Sequence, residues 1–158
     1  MFFFSYYKLG DNLSIKFIDE NLFDIYIIKD RIKNINFDND NELKDYLKKI
    51  FKTLKDKYLI IIEGFYNVYI YMDKYYGIVI NLQKEKFEYY NYHKGEVDMK
   101  ISVIKNSFLY QLDSFNIDNT KIHIIDNNMY LEIINDISNK DLFYIIENSK
   151  NILYDYSK

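Results

Sequence analysis

The fold is decided by residues 67–82, which read NVYIYMDKYYGIVINL. Two apolar runs flank a polar centre, a pattern typical of two antiparallel strands joined by a short turn. A three-residue loop over Asp73–Tyr75 places the aliphatic residues of both runs on one face, whereas a two-residue loop at Asp73-Lys74 separates them. Because a slip of one residue turns the whole set inside out, we predict the three-residue loop. The residues predicted to face inward are Val68, Ile70, Met72, Tyr76, Ile78, Ile80 and Leu82.

The opposite face of this hairpin is predicted to be the outer one. It carries Asn67, Tyr69, Tyr71, Gly77 and Asn81. Tyrosine buries apolar area against a partner while its hydroxyl keeps a hydrogen bond, so it is common at protein interfaces. We therefore predict that Tyr69 and Tyr71 form a protein-interaction face together with Val79.

A helix is predicted over Asp40–Lys57, upstream of the hairpin. Its apolar residues recur at helical spacing, and lysines fill the opposite face. Asn39, followed three residues later by Glu42, resembles a capping box. The apolar stripe consists of Leu43, Tyr46, Leu47, Ile50, Phe51 and Leu54.

A second helix is predicted over Lys140–Tyr154, beginning at the pair Ser138 and Asp141. Asn127-Asn128 predicts a two-residue hairpin turn, and Lys94-Gly95 predicts another. The predicted strands are Leu13–Ile18, Phe23–Lys29, Leu59–Met72, Tyr76–Leu82, Phe87–Tyr92, Val97–Ile104, Phe108–Leu112, Ile122–Asp126 and Met129–Ile134.

This order of elements predicts an α+β fold, with mainly antiparallel sheets and two amphipathic helices packed on one side. We expect a single compact domain over residues 1–158, and two small halves, 1–83 and 100–158, remain the alternative.

Composition narrows the class of function. The chain has 158 residues, 49% of them hydrophobic and 28% charged, which excludes a disordered protein. A net charge of -3 argues against duplex DNA and anionic membranes as partners. The longest aliphatic run, Leu59–Ile62, is far too short to cross a membrane. The start, Met1–Tyr7, lacks the basic region of a signal sequence, so we expect a cytoplasmic protein.

Residue usage indicates an AT-rich genome, bacterial or viral. Alanine, proline, tryptophan and cysteine are absent, and Arg31 is the single arginine. Aromatic richness is therefore partly a codon effect and weak support for a binding face.

The residues that usually carry catalysis are sparse. The chain has two histidines: His93 beside a predicted turn, and His123 on a strand, where we expect it to be solvated and turned away from Asp126. Phosphate and dinucleotide loops need clustered glycines, and the four glycines are isolated. Asp38–Glu42 begins like a calcium loop but lacks the later glycine and glutamate. We therefore expect a non-catalytic protein with no cofactor and no bound metal.

Two separate stretches resemble MecA-type adaptor proteins. The first comprises helix Glu42–Lys57, Ile62-Glu63-Gly64 and the hairpin strands, and resembles their N-terminal half. The second comprises Phe108–Phe115, Asn128–Ile133 and the helix after Ile137-Ser138, and resembles their C-terminal half. The resemblance implies an adaptor or regulatory role, with substrate captured by the first half and a Clp-type ATPase bound by the second.

An alternative function is single-stranded nucleic-acid binding. Lys74–Val79 resembles part of the RNP1 pattern of RRM domains, and Ile25-Tyr26-Ile27 resembles the start of RNP2. Such domains stack bases on aromatic side chains of an open sheet face. Against this alternative, the predicted register turns Tyr76 and Ile78 inward, and the net charge is negative.

Overall fold

The structure is a computed structural model that describes residues 5–9, 13–29, 36–73, 75–85, 96–104, 109–112, 117–149 and 151–153. Over these residues the chain forms ten strands and two helices and is α+β, as predicted. The elements are β1 Ser5–Lys8, β2 Leu13–Asp19, β3 Leu22–Ile28, α1 Asp40–Tyr58, β4 Gly64–Asp73, β5 Gly77–Lys84, β6 Val97–Ile104, β7 Leu109–Gln111, β8 Thr120–Ile125, β9 Asn128–Ile133, α2 Asn139–Asn148 and β10 Asn151–Leu153.

The strands form two sheets. The first sheet has six strands in the order β1-β2-β3-β5-β4-β6, and the second has four in the order β10-β7-β9-β8. Neighbouring strands are antiparallel except for β4 and β6, which run parallel. Since β6 belongs to the first sheet, the change of sheet falls between Ile104 and Leu109 and not within residues 84–99.

Helix α1 forms where it was predicted. The Asn39 side chain accepts the Glu42 backbone N–H at 3.1 Å, so the N-cap is confirmed. The helix ends at Tyr58, where Leu59 adopts a left-handed conformation with φ 58° and its N–H bonds to the Lys55 carbonyl.

The first core lies between α1 and one face of the first sheet. The predicted inward face of the hairpin is confirmed for its aliphatic residues, all of which lie in or against this core. The core consists of Leu13, Ile15, Phe23, Ile25, Ile27, Leu43, Leu47, Ile50, Phe51, Leu54, Ile62, Tyr66, Val68, Ile70, Ile78, Ile80, Leu82 and Met99.

The hairpin turn lies one residue later than predicted. Asp73 pairs with Gly77, so the turn lies between these two residues, and Tyr76 belongs to the opposite core. The Asp73 carboxylate accepts the backbone N–H groups of Tyr75 and Tyr76, at 2.8 and 3.1 Å, which fixes the turn at this place.

The second core lies on the other face of the first sheet, against the second sheet and α2. The two helices therefore lie on opposite faces of the first sheet, and their predicted placement on one side is corrected. The physical reason is that β3 and β5 carry apolar residues on both faces, so each face needs a cover. The second core consists of Tyr26, Ile28, Tyr71, Tyr76, Val79, Tyr110, Leu112, Leu131, Ile133, Ile137, Leu142 and Ile145.

Two C-terminal predictions are corrected. Helix α2 ends at Asn148 instead of Tyr154, because Ser149 is extended and Asn151–Leu153 pairs with β7. The predicted turn at Asn127-Asn128 lies one residue earlier: Ile125 pairs with Asn128, and Asp126 and Asn127 both have positive φ.

Two further predictions concern the middle of the chain. The predicted strand Leu59–Met72 begins only at Gly64. The predicted strand Phe87–Tyr92 and the predicted turn Lys94-Gly95 lie outside the described residues.

Gly77 allows the close approach of β5 to β3. Its φ is 128°, and an added Cβ would collide with the Ile27 carbonyl oxygen and lie 2.6 Å from the Lys29 nitrogen. Gly64 also has positive φ, but its nearest neighbour is the flexible end of Lys84.

We expect Gly77→Ala to lower the free energy of unfolding by at least about 3 kcal/mol and Gly64→Ala by about 1–2 kcal/mol. Urea titration of both variants measures the difference, and equal losses would contradict the backbone-contact explanation.

Candidate functional site

The hairpin face that was predicted to bind a partner, with Tyr69, Tyr71 and Val79, lies inside the protein. Tyr69, Tyr71 and Val79 do lie side by side, since Tyr71 pairs with Val79 across the strands. However, Val79 is 0% and Tyr71 7% exposed, and Tyr69 packs against the same second core. The expectation that this face is open is corrected, because the second sheet and α2 of the same chain cover it.

The aromatic residues of the RNP-like stretches are covered in the same way. Strands β3 and β5 are neighbours at the centre of the sheet, as the RRM resemblance requires. Tyr26 and Tyr76 are nevertheless fully or almost fully buried in the second core. Neither ring is open to stack on a base. Lys74 lies outside the described residues.

His123 is not the solvated strand residue that was predicted. Its Nε2 lies 3.1 Å from Glu132 Oε1, and the two side chains are 14% and 7% exposed. Asp126, predicted to end this strand, lies instead in the turn between β8 and β9 with φ 51°. Glu132, the partner of His123, also acts on Asp73. Burial raises the pKa of Asp73, and the negative charge of Glu132 raises it further. Among the described residues, no group of three or more metal-binding side chains comes together. His93 lies outside the part that the structure describes.

A charged network lies buried on the second face of the first sheet. Asp24 accepts a hydrogen bond from Asn81 Nδ2 at 2.7 Å and a longer one from the Tyr26 hydroxyl at 3.4 Å. Burial raises the pKa of Asp24 to about 6, although both hydrogen bonds and the Lys16 charge oppose this. Burial likewise lowers the pKa of Lys16, and Asp24 opposes that shift.

Lys16 connects this network to α2. Its Nζ donates to the Ser149 carbonyl oxygen at 2.8 Å, at the end of the helix. A cation is favourable there because the helix dipole places negative charge at its C-terminal end. The network therefore acts within the fold, where it joins the first sheet to the C-terminal helix.

An open groove lies on the other side of the molecule, between α1 and β6. It has a volume of about 810 Å³. Phe51 and Ile62 form a buried apolar floor with Val97, and Ile61 is 46% exposed beside them. We call this the α1–β6 groove, and its lining residues are Lys48, Phe51, Lys52, Lys55, Ile61, Ile62, Glu96, Val97 and Asp98.

Positive charge dominates the helix side of the α1–β6 groove. Lys48, Lys52 and Lys55 lie one to two turns apart on α1 and line it together. Asp98 is already engaged: its carboxylate accepts the Met99 N–H at 2.8 Å and lies 3.4 Å from Lys44 Nζ. The Met99 hydrogen bond, with Lys44 and Lys48, lowers the pKa of Asp98. Lys52 and Lys55 form no ion pair with any described residue.

The segment from α1 to the groove exposes apolar side chains. Leu59 is 86% exposed and left-handed, and Ile61 follows two residues later. The other non-glycine residues with positive φ in the described chain are Asn119, Asp126 and Asn127. These short polar residues tolerate that conformation, whereas leucine is strained in it. Leu59 is therefore an exposed leucine in a backbone conformation that the other described non-glycine residues adopt only as asparagine or aspartate.

The sequence contained part of the signal for this groove. Lysines recur along one side of α1, but a solvated helix face has the same spacing, so the sequence of α1 alone does not indicate a groove. The decisive partner, β6, is remote in sequence and becomes a neighbour only through the parallel β4–β6 pair.

Comparison with known proteins finds no matching protein-family model, no matching curated protein and no matching solved structure. Neither described helix has both the length and the apolar character needed to cross a membrane.

The internal position of Tyr71 has a direct consequence for stability. We expect Tyr71→Ser to lower the free energy of unfolding by about 3 kcal/mol, because it leaves a cavity in the second core. Tyr144→Ser is the matched control, since Tyr144 is an exposed aromatic residue on α2 and its loss should cost less than about 0.5 kcal/mol. Thermal and chemical denaturation measure both. A Tyr71→Ser protein as stable as the wild type would show that the two sheets do not pack as described.

Asp24 makes stability depend on pH. Its pKa is higher in the folded than in the unfolded protein, so its contribution is fully present below the unfolded value of 3.8 and is lost as the pH rises through about 6. Relative to Asp24→Asn, the wild type should lose about 3 kcal/mol of unfolding free energy between pH 3.8 and 7. Comparing the two proteins cancels the contributions of the other buried carboxylates, Asp73 and Glu132. Parallel stability curves across this range would contradict the raised pKa.

Proposed function

We propose that the protein is a non-catalytic protein-binding module whose binding surface is the α1–β6 groove. One observation carries the proposal: an apolar floor, a row of lysines and the outer edge of a sheet meet in a single open cleft. Protein-binding surfaces combine an apolar centre with polar and charged groups around it that help to select the partner.

The charge of the groove supports a protein partner of opposite sign. The whole chain is acidic, with a net charge of -3, yet α1 brings Lys44, Lys48, Lys52 and Lys55 to this side. Two acidic residues also line the groove: Asp98 is occupied by Lys44 and the Met99 N–H, and Glu96 offsets one of the three lysines, so a net positive charge is left for a ligand. Exposed complementary charges steer association and select partners more than they add affinity.

Exposed aliphatic side chains supply the apolar contact that binding a protein partner needs in addition to charge. Ile61 lines the groove, and Leu59 lies close to it in the chain. Covering such side chains on binding contributes the apolar part of the free energy, about 25 cal/mol per Å² of area removed from water. The groove lies beside β6, the last strand of the first sheet, and such a place suits an extended protein segment.

The adaptor role follows from the resemblance to MecA-type proteins and forms the broader part of the proposal. In that role the groove, which belongs to the first sheet, takes the segment to be handed on. A Clp-type ATPase is then the partner to test on the second sheet and α2.

The proposal is tested by selecting displayed random peptides on the wild-type protein. We expect enriched peptides to bind about tenfold more weakly to Lys52→Glu/Lys55→Glu, because two screened charge contacts turn repulsive. The matched control is Lys49→Glu/Lys57→Glu, which changes the charge of the same helix equally, at two lysines that do not line the groove. Fluorescence polarisation of the selected peptides measures all three affinities.

Two outcomes would overturn the proposal. One is that no peptide is enriched, and the other is that both double variants bind the enriched peptides alike. Labelled single-stranded oligonucleotides are measured in parallel, since lysines also attract phosphates. Oligonucleotide binding that the groove variant loses, without peptide binding, would favour the nucleic-acid alternative instead.

A further inference from the structure

We infer that the α1–β6 groove takes an extended, acidic segment of a partner, which adds to the first sheet as a further strand along β6. This inference rests on the proposed function and names the partner's chemistry and conformation. It depends on which backbone groups β6 presents, on the chemistry of the groove beside them, and on the charge around both.

The backbone of β6 presents alternate residues to its outer edge. The Gly64 N–H bonds to the Glu96 carbonyl at 2.8 Å, and Gly64 pairs with Val97. In a parallel pair, alternate residues direct both backbone groups at the neighbouring strand, and the residues between direct theirs away. Since Glu96 bonds to β4, the residues whose N–H and carbonyl groups point outward are Val97, Met99, Ile101 and Val103.

One of these outward donors is already used. The Met99 N–H bonds to the Asp98 carboxylate at 2.8 Å. Charged side chains that cap an edge in this way discourage non-specific pairing. On the outer side, β6 has no neighbouring strand among the described residues. The donors at Val97, Ile101 and Val103 are therefore placed to bond with an added strand.

The groove lies beside this edge, on the face of the sheet that carries α1. Val97 lines the groove, and Ile101 and Val103 also pack against the first core on that face. Alternate side chains of an added strand would therefore point toward the apolar floor and the α1 lysines. Main-chain hydrogen bonds then give affinity, and pockets for alternate side chains give specificity.

Charge complementarity selects the occupant. Lys48, Lys52 and Lys55 line the side of the groove opposite β6. On the β6 side, Glu96 and Asp98 line the groove, Asp98 is paired with Lys44, and Lys100 is exposed on the strand, so the lysines leave a net positive charge. A segment carrying aspartate or glutamate would bring carboxylates close to these lysines, whereas a basic segment would be repelled. A segment with both aliphatic and acidic residues matches the floor and the lysines together.

The first experiment compares two synthetic peptides labelled with fluorescein. The acidic one repeats Val-Val-Glu-Glu over eight residues, which places an aliphatic and an acidic residue on each face of a strand. The basic one repeats Val-Val-Lys-Lys. We expect the acidic peptide to bind the wild type at least tenfold more tightly, and to lose this advantage in Lys52→Glu/Lys55→Glu. Equal binding of the two peptides would overturn the acidic preference.

The second experiment tests strand addition by amide hydrogen exchange in the complex. We expect exchange at Ile101 and Val103 to slow at least tenfold when the acidic peptide is bound. Ile101→Pro removes one outward N–H and should weaken binding about fivefold. Ile101→Ala removes the same side chain but keeps the N–H, so it is the matched control and should change affinity less than twofold.

The outcomes separate the two levels of the proposal. A peptide that binds the wild type, and not the groove variant, while Ile101 and Val103 exchange as in the free protein, would overturn strand addition and leave the proposed function standing. If neither the designed peptides nor selected peptides bind through the groove, the proposed function fails, and strand addition fails with it.

Discussion

Strands β3 and β5 are buried on both faces, and both cores of the molecule are built against them. Apolar side chains from Phe23, Ile25 and Ile27 enter the first core, while Tyr26 and Ile28 enter the second. A sheet with two apolar faces is stable in water only when each face is covered. Helix α1 covers one face, and the second sheet with α2 covers the other. The C-terminal part is therefore a cover for the first sheet, which is why the tyrosine face of the hairpin is closed to partners.

The second cover is joined to the first sheet by charged groups as well as by apolar contact. Lys16 and Asp24 are both buried, and burying charged groups is unfavourable unless they are paired and hydrogen-bonded. Asn81 supplies a hydrogen bond to the carboxylate, and the Ser149 carbonyl accepts one from the lysine. The lysine thus holds the chain just after α2 against the first sheet. Ser149 is extended at this point, and the strand β10 follows directly, which explains why the helix stops short of its apolar pattern.

Local patterns predicted the parts of the fold that local forces decide. The helix over Asp40–Lys57, its cap and the alternation in the central hairpin follow from periodicity and turn chemistry, and they are confirmed. The cover over Tyr69, Tyr71 and Val79 could not be derived from the hairpin alone, because it is supplied by residues more than thirty positions away. The α1–β6 groove escaped prediction for the same reason: its lysines are local to α1, but its opposite wall is brought in by parallel pairing with β4.

Leu59 is an unusual residue for its backbone conformation. Glycine is the usual residue at a left-handed helix end, and asparagine also tolerates this conformation, as at Asn119 with φ 64° and Asn127 with φ 66°. A leucine in this conformation costs about 1 kcal/mol, and its 86% exposure gives no burial in return. Ile61, two residues later, lines the groove with the lysines, and Leu59 adds exposed aliphatic surface close to it in the chain. The exposed leucine is accounted for if a bound partner covers it, so the strain at the end of α1 and the charge along it point to the same surface.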